Sequence, residues 1–161
     1  YNAGSVYGGY IETRAAYDDL LAELLREAKS ENKLSAPLRT VFTDDTHERL
    51  FDDAGYVMIQ ADRLTYSDLI SALEKGRFYS STRPEFYDLR VNGNVLVGRC
   101  SPVKSVCVIG PARDKIRIDG NIENFVIPLK GGFNDYFRVE ITDENGYVAA
   151  TNAYYGALDE E

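Results

Sequence analysis

Residues 85–99 read Glu85-Phe86-Tyr87-Asp88-Leu89-Arg90-Val91-Asn92-Gly93-Asn94-Val95-Leu96-Val97-Gly98-Arg99. Two runs of β-forming residues flank Asn92-Gly93. That dipeptide is a strong hairpin signal, because its residues accept the positive φ that a tight hairpin turn demands. The spacing predicts strands over 85–91 and 94–99. Further on, 105–109, 115–118 and 124–129 read as strands, with turns expected at Ser101-Pro102 and Asp119-Gly120. Residues 136–142 alternate in polarity, turn at Asp143-Glu144-Asn145-Gly146 and return over 147–151. Short strands at this spacing predict an antiparallel β-sandwich over residues 80–161.

Upstream of that series the pattern is mixed. Leu20, Leu21, Leu24, Leu25 and Ala28 recur at helical spacing, with Thr13 as the expected N-cap. Ser30 to Ala36 is a polar connection, and 38–42 reads as a short strand that runs into Thr43-Asp44-Asp45-Thr46-His47. A second strand is expected over 56–60. A second helix starts at Thr65, with Asp68 three residues on in a capping-box arrangement, and stops at Gly76. Residues 1–79 are therefore an α/β segment, and the fold class is α+β.

Composition narrows the function classes. The chain has 161 residues, 44% of them apolar and 27% charged, an ordinary globular balance. No apolar run approaches the ~20 residues that span a bilayer, so no membrane partner is expected. Net charge is −8, with scattered Lys and Arg, which argues against a nucleic-acid partner. Cys100 and Cys107 fit no disulfide framework and read as reduced thiols. No signal peptide is visible at Tyr1, and the expected location is cytoplasmic.

One cluster carries chemistry: Asp44-Asp45-Thr46-His47, which contains the only histidine of the chain. An Asp-x-His at a strand end can place a carboxylate and an imidazole on the same side of the backbone, and both are good ligands for Zn, Mn or Fe. The same four residues also fit a capped turn at the start of a polar stretch. Two donors do not complete a catalytic metal site, which normally takes three protein ligands.

The run Thr43-Asp44-Asp45-Thr46-His47 resembles the final metal-binding motif of the PHP family of metal-dependent phosphoesterases. The neighbouring segments resemble it in the same order. Gly76-Arg77-Phe78-Tyr79-Ser80-Ser81-Thr82-Arg83-Pro84 is similar to a family segment in which Gly usually stands at the place of Arg83. Residues 136–152 resemble the family's last hairpin, with Ala150 where Trp is frequent. The resemblance implies that residues 1–79 are the C-terminal part of a PHP-type barrel. It implies metal ligation by Asp45 and His47, support to those ligands from Asp44 and Asn2, and a phosphate contact from Arg83. The implied activity is hydrolysis of a small phosphorylated substrate with bound Mn, Zn or Fe. The family's earlier His ligands are missing. The chain is therefore expected to be a fragment, inactive alone and holding metal only weakly, with the missing N-terminal half of the barrel or a second copy as partner. The alternative is a non-catalytic β-sandwich binding or structural module of a degenerate relative. Its many aromatic residues are expected to be mostly core.

Overall fold

The computed structural model describes residues 10–31, 38–44, 55–111, 115–129, 133 and 135–155. The order of elements is α1 (Tyr10–Glu31), β1 (Tyr56–Ile59), α2 (Tyr66–Glu74), β2 (Phe78–Ser81), β3 (Phe86–Asn92), β4 (Val95–Ile109), β5 (Lys115–Pro128), β6 (Tyr136–Thr142), β7 (Val148–Thr151) and β8 (Tyr154–Tyr155). The class is α+β. Every described strand pairing is antiparallel. The strands follow one path, β1-β2-β7-β6-β4-β3, with β5 added along β4 and β8 along β6.

The sequence places breaks at Ser101-Pro102 and Asp119-Gly120. In the structure both fall inside long strands. β4 and β5 pair from Val95↔Pro128 to Ile109↔Lys115, and the register slips between Arg99 and Val103 and again between Val103 and Ser105. Ser101-Pro102 lies in the first slip, where Pro102 has no N–H to give to a ladder. Gly120, at φ 149°, lies opposite the second. Turn-forming residues here make bulges, and the ribbon bends without ending. The near half of β4 pairs with β3 and its far half with β6. The result is one curled sheet shaped like half a barrel, instead of the two face-packed sheets of the expected sandwich. The boundary expected after residue 79 falls within β2, which pairs with β1 on one side and β7 on the other.

The concave side is filled by Leu96, Val106, Val108, Phe125, Ile127, Phe137, Val139 and Ile141. Gly98 sits opposite Phe125 in the ladder, and the Phe125 ring lies over it: a Cβ on Gly98 would collide with the ring. β6 is buried on both faces. Phe137, Val139 and Ile141 enter the core, while Tyr136, Arg138 and Glu140 face α1. The alternation of residues 136–142 therefore does not mark a wet face; the helix covers it.

α1 begins at Tyr10, so Thr13 lies inside the helix and is not its cap. Nothing between Gly9 and Thr13 stops helix propagation: the intervening residues include no Gly or Pro. Its buried face is Tyr17, Leu21, Leu25 and Ala28, and Leu20 is half exposed. α2 matches expectation. Thr65 caps it, its hydroxyl accepting from the Asp68 amide at 3.3 Å, and Gly76 leaves it at φ 69°. The Asn-Gly hairpin forms one residue later than its signal, with Asn92 paired to Val95 across Gly93-Asn94. No described helix is long and apolar enough to cross a membrane.

Candidate functional site

The strand expected over 38–42 is not a ladder strand, though it is tied to the sheet. Side chains stand in for the missing partner. The Ser80 hydroxyl accepts from the Phe42 amide and donates to the Thr40 carbonyl, both at 3.1 Å. The Asn152 Oδ1 accepts from the Thr40 amide at 3.1 Å, while its Nδ2 donates to the Gly76 and Phe78 carbonyls. Ser80 and Asn152 are both buried, so each of these bonds replaces one that water cannot supply. The segment that leads to Asp44 is thus held by β2 and by the residue that follows β7.

The other hydroxyls of these segments are also committed to backbone. Ser81 Oγ donates to the Pro84 carbonyl and accepts from the Arg83 amide. Thr82 Oγ1 donates to the Val148 carbonyl and accepts from its amide. Thr151 Oγ1 accepts from the Val139 amide. The Ser-Ser-Thr run and Thr151-Asn152 therefore serve as a polar clasp between β2, β7 and residues 38–42.

Of the expected site residues, Asp44 is half-buried at the end of this segment. Asn2, Asp45 and His47 lie outside the described residues. Among the described residues no three His, Cys, Asp or Glu side chains lie close enough to hold a metal ion. The Asp45 and His47 donor pair suits Zn, Mn or Fe by its chemistry alone. Arg83 is exposed, its guanidinium 4.4 Å from the centre of the Tyr147 ring, a cation–π contact on the surface. Arg99 sits 5.5 Å from the Tyr87 ring in the same manner.

Two features escaped the sequence reading. The first is a buried charge cluster between α1 and β6. Arg138 is 2% exposed and holds Asp18 with both ends of its fork, Nε to Oδ1 at 2.7 Å and Nη2 to Oδ2 at 2.9 Å. Its Nη1 reaches Glu140, whose other oxygen takes Arg14 Nη1 at 3.1 Å. The cluster is neutral, two guanidiniums against two carboxylates. Burial works against the Arg138 charge, but the hydrogen bonds to Asp18 and the charge of Glu140 outweigh it and hold its pKa above the usual value. Burial also raises the neighbouring Tyr17 phenol, strengthened by Tyr155. In sequence Asp18 is one of the charged residues between the leucines of α1, and no local signal distinguishes it from Asp19.

The second feature is an open cleft of about 800 Å³, bordered by residues 38–39, the Lys75-Gly76-Arg77 turn, parts of β1, β2 and β3, and residues 151–155. Arg39, Lys75 and Arg77 line it together with Tyr79, Tyr87 and Tyr154. Tyr79 packs edge-on against Phe86, with ring centres 5.2 Å apart, and burial pushes its phenol up to about 12. Phe125, Phe133, Tyr136 and Phe137 are core, as expected of most aromatics, whereas Tyr87 and Tyr154 are exposed. The chain matches no family model, no curated protein and no solved structure.

Proposed function

We propose that the chain is the C-terminal portion of a metal-dependent phosphoesterase in which Asp45 and His47 supply ligands. One observation carries this reading. Two distant stretches that resemble a single family, residues 76–84 and 136–152, and residues 38–42, which lead into the third such stretch at Thr43, are clasped together by Ser80 and Asn152. The clasp would fix the path of the segment that delivers the Asp-x-His pair. A divalent ion there would neutralise charge on phosphoryl oxygens. A cytoplasmic setting belongs to the same reading, supported by the free Cys100 and Cys107.

The test uses the longest natural reading frame that contains this sequence. Metal content and phosphate release from a phosphomonoester are measured for wild type, Asp45→Ala and His47→Ala. Both variants are expected to lose metal and turnover together. Unchanged metal content and unchanged turnover in both would reduce the motif to a capped turn. The alternative, a non-catalytic binding module, then gains, and it has its own support in the cleft, whose described lining needs no metal.

A further inference from the structure

We propose that the cleft beside the Lys75-Gly76-Arg77 turn binds a phosphomonoester carried on a flat ring, such as an aryl phosphate or a mononucleotide. The inference is independent of any metal at Asp45 and His47.

The cation cluster is built, not incidental. Lys75 and Arg77 flank Gly76, and the Arg39 side chain crosses directly over it. A Cβ on Gly76 would stand 2.7 Å from Arg39 Nε. The bare glycine, already at φ 69°, is what allows Arg39 to lie over this turn. All three line one cleft, so it carries positive charge that suits an anion.

Among the described residues none is supplied. Arg14, Arg26, Arg63, Arg90, Arg117 and Arg138 are each paired with a carboxylate. Arg39, Lys75 and Arg77 have no ion pair among the described residues. Among the described residues Asp88 is the one acid on the cleft lining, and Arg90 already holds it. This lack of compensation occurs on a chain of net charge −8, where carboxylates are plentiful. Arg77 Nε is buried and has no hydrogen-bond partner among the described residues. An orphaned buried donor is costly, and Arg77 stands on the cleft lining.

The charge count and the walls select the ligand. A phosphomonoester has three terminal oxygens and a charge near −2, which matches three cationic donors better than a single carboxylate does. Tyr87 and Tyr154 offer exposed ring surface on the same cleft, and Tyr154 is backed by Phe137, stacked at 5.2 Å between ring centres. Rings held this way favour a flat partner. The volume of about 800 Å³ falls within the range of small-molecule sites.

The test is isothermal titration of the chain, in chelator, with phenyl phosphate, adenosine monophosphate, inorganic phosphate and phenol. At least one of the two esters is expected to saturate, at least about 10-fold tighter than inorganic phosphate or phenol, and the comparison of the two esters identifies the ring preferred. Arg77→Gln and Lys75→Gln are each expected to weaken ester binding by about 10-fold, the loss of one charge-assisted contact. Lys75 is exposed, so its variant leaves the fold intact; thermal melting checks both. Saturation by neither ester overturns the proposal. So does unchanged ester affinity in both variants, or inorganic phosphate binding as tightly as the esters. Because no metal takes part, loss of metal at Asp45 and His47 leaves this result untouched.

Discussion

Asp18→Ala removes one partner of the buried pair between α1 and β6 and leaves Arg138 with half its fork empty. Two charge-assisted hydrogen bonds go, at 2.7 and 2.9 Å, from a guanidinium that is 2% exposed. Water cannot reach in to replace them, so the cost is that of an uncompensated buried charge, about 3–5 kcal/mol. With a urea slope of about 2 kcal/mol per M, a loss of about 4 kcal/mol lowers the unfolding midpoint by about 2 M. The double variant Asp18→Leu with Arg138→Met removes both charges. Arg14 and Glu140 remain as a balanced pair, and stability is expected to return to within about 1–2 kcal/mol of wild type. Urea unfolding followed by circular dichroism measures all three proteins. If Asp18→Ala unfolds within about 1 kcal/mol of wild type, the pair is not buried in solution and the helix does not dock on β6 as described.

Gly98→Ala drives a Cβ into the buried Phe125 ring. It is expected to cost about 1–3 kcal/mol by overpacking, and an unchanged melting temperature would show that the ring is not over Gly98. Alkaline pH should destabilise the fold in two stages. Burial raises Cys100 to about 11, and Tyr79 and Tyr136 to about 12. The unfolded chain ionises earlier, near ~8.5 for Cys and ~10 for Tyr, so these groups contribute fully below pH ~8.5 and their contribution is lost as pH rises through the folded values. Unfolding free energies measured between pH 8 and pH 11 should fall, and a rise across that window would contradict the burial of these groups.

Signals that depend on neighbouring residues were readable in the sequence; signals that depend on distant partners were not. Thr65-Asp68-Gly76 framed α2 because capping is local. Asp143-Gly146 turned as expected because the Asp143 carboxylate captures the Asn145 and Tyr147 amides within its own loop. Ser101-Pro102 and Asp119-Gly120 carry turn chemistry, yet they became bulges because long flanking strands pair past them. Whether such residues end a strand depends on a partner more than ten residues away. Residues 136–142 show the same limit. Their alternation does not say what covers the polar face, which is α1, whose Asp18 is 120 residues from Arg138. In the cleft, Arg39 and Arg77 are ordinary basic residues in sequence, and only the fold brings them onto one lining. The Asp-x-His motif was the reverse case: visible in sequence, while Asp45 and His47 fall outside the described residues.

The joint between α1 and β6 also sets an order in time. Asp18 and Arg138 are separated by 120 residues of chain. At ~5–20 residues per second, the ribosome needs roughly 6–24 s to deliver the second after the first. Throughout that interval the helix has no sheet to dock on, and Tyr17, Leu21 and Leu25 stand uncovered beside a carboxylate without its guanidinium. The last hairpin, β6 with β7, closes the sheet and the helix joint together. Nascent chains stalled before residue 138 should therefore be the species most exposed to chaperone capture, and those stalled well beyond it the first to escape.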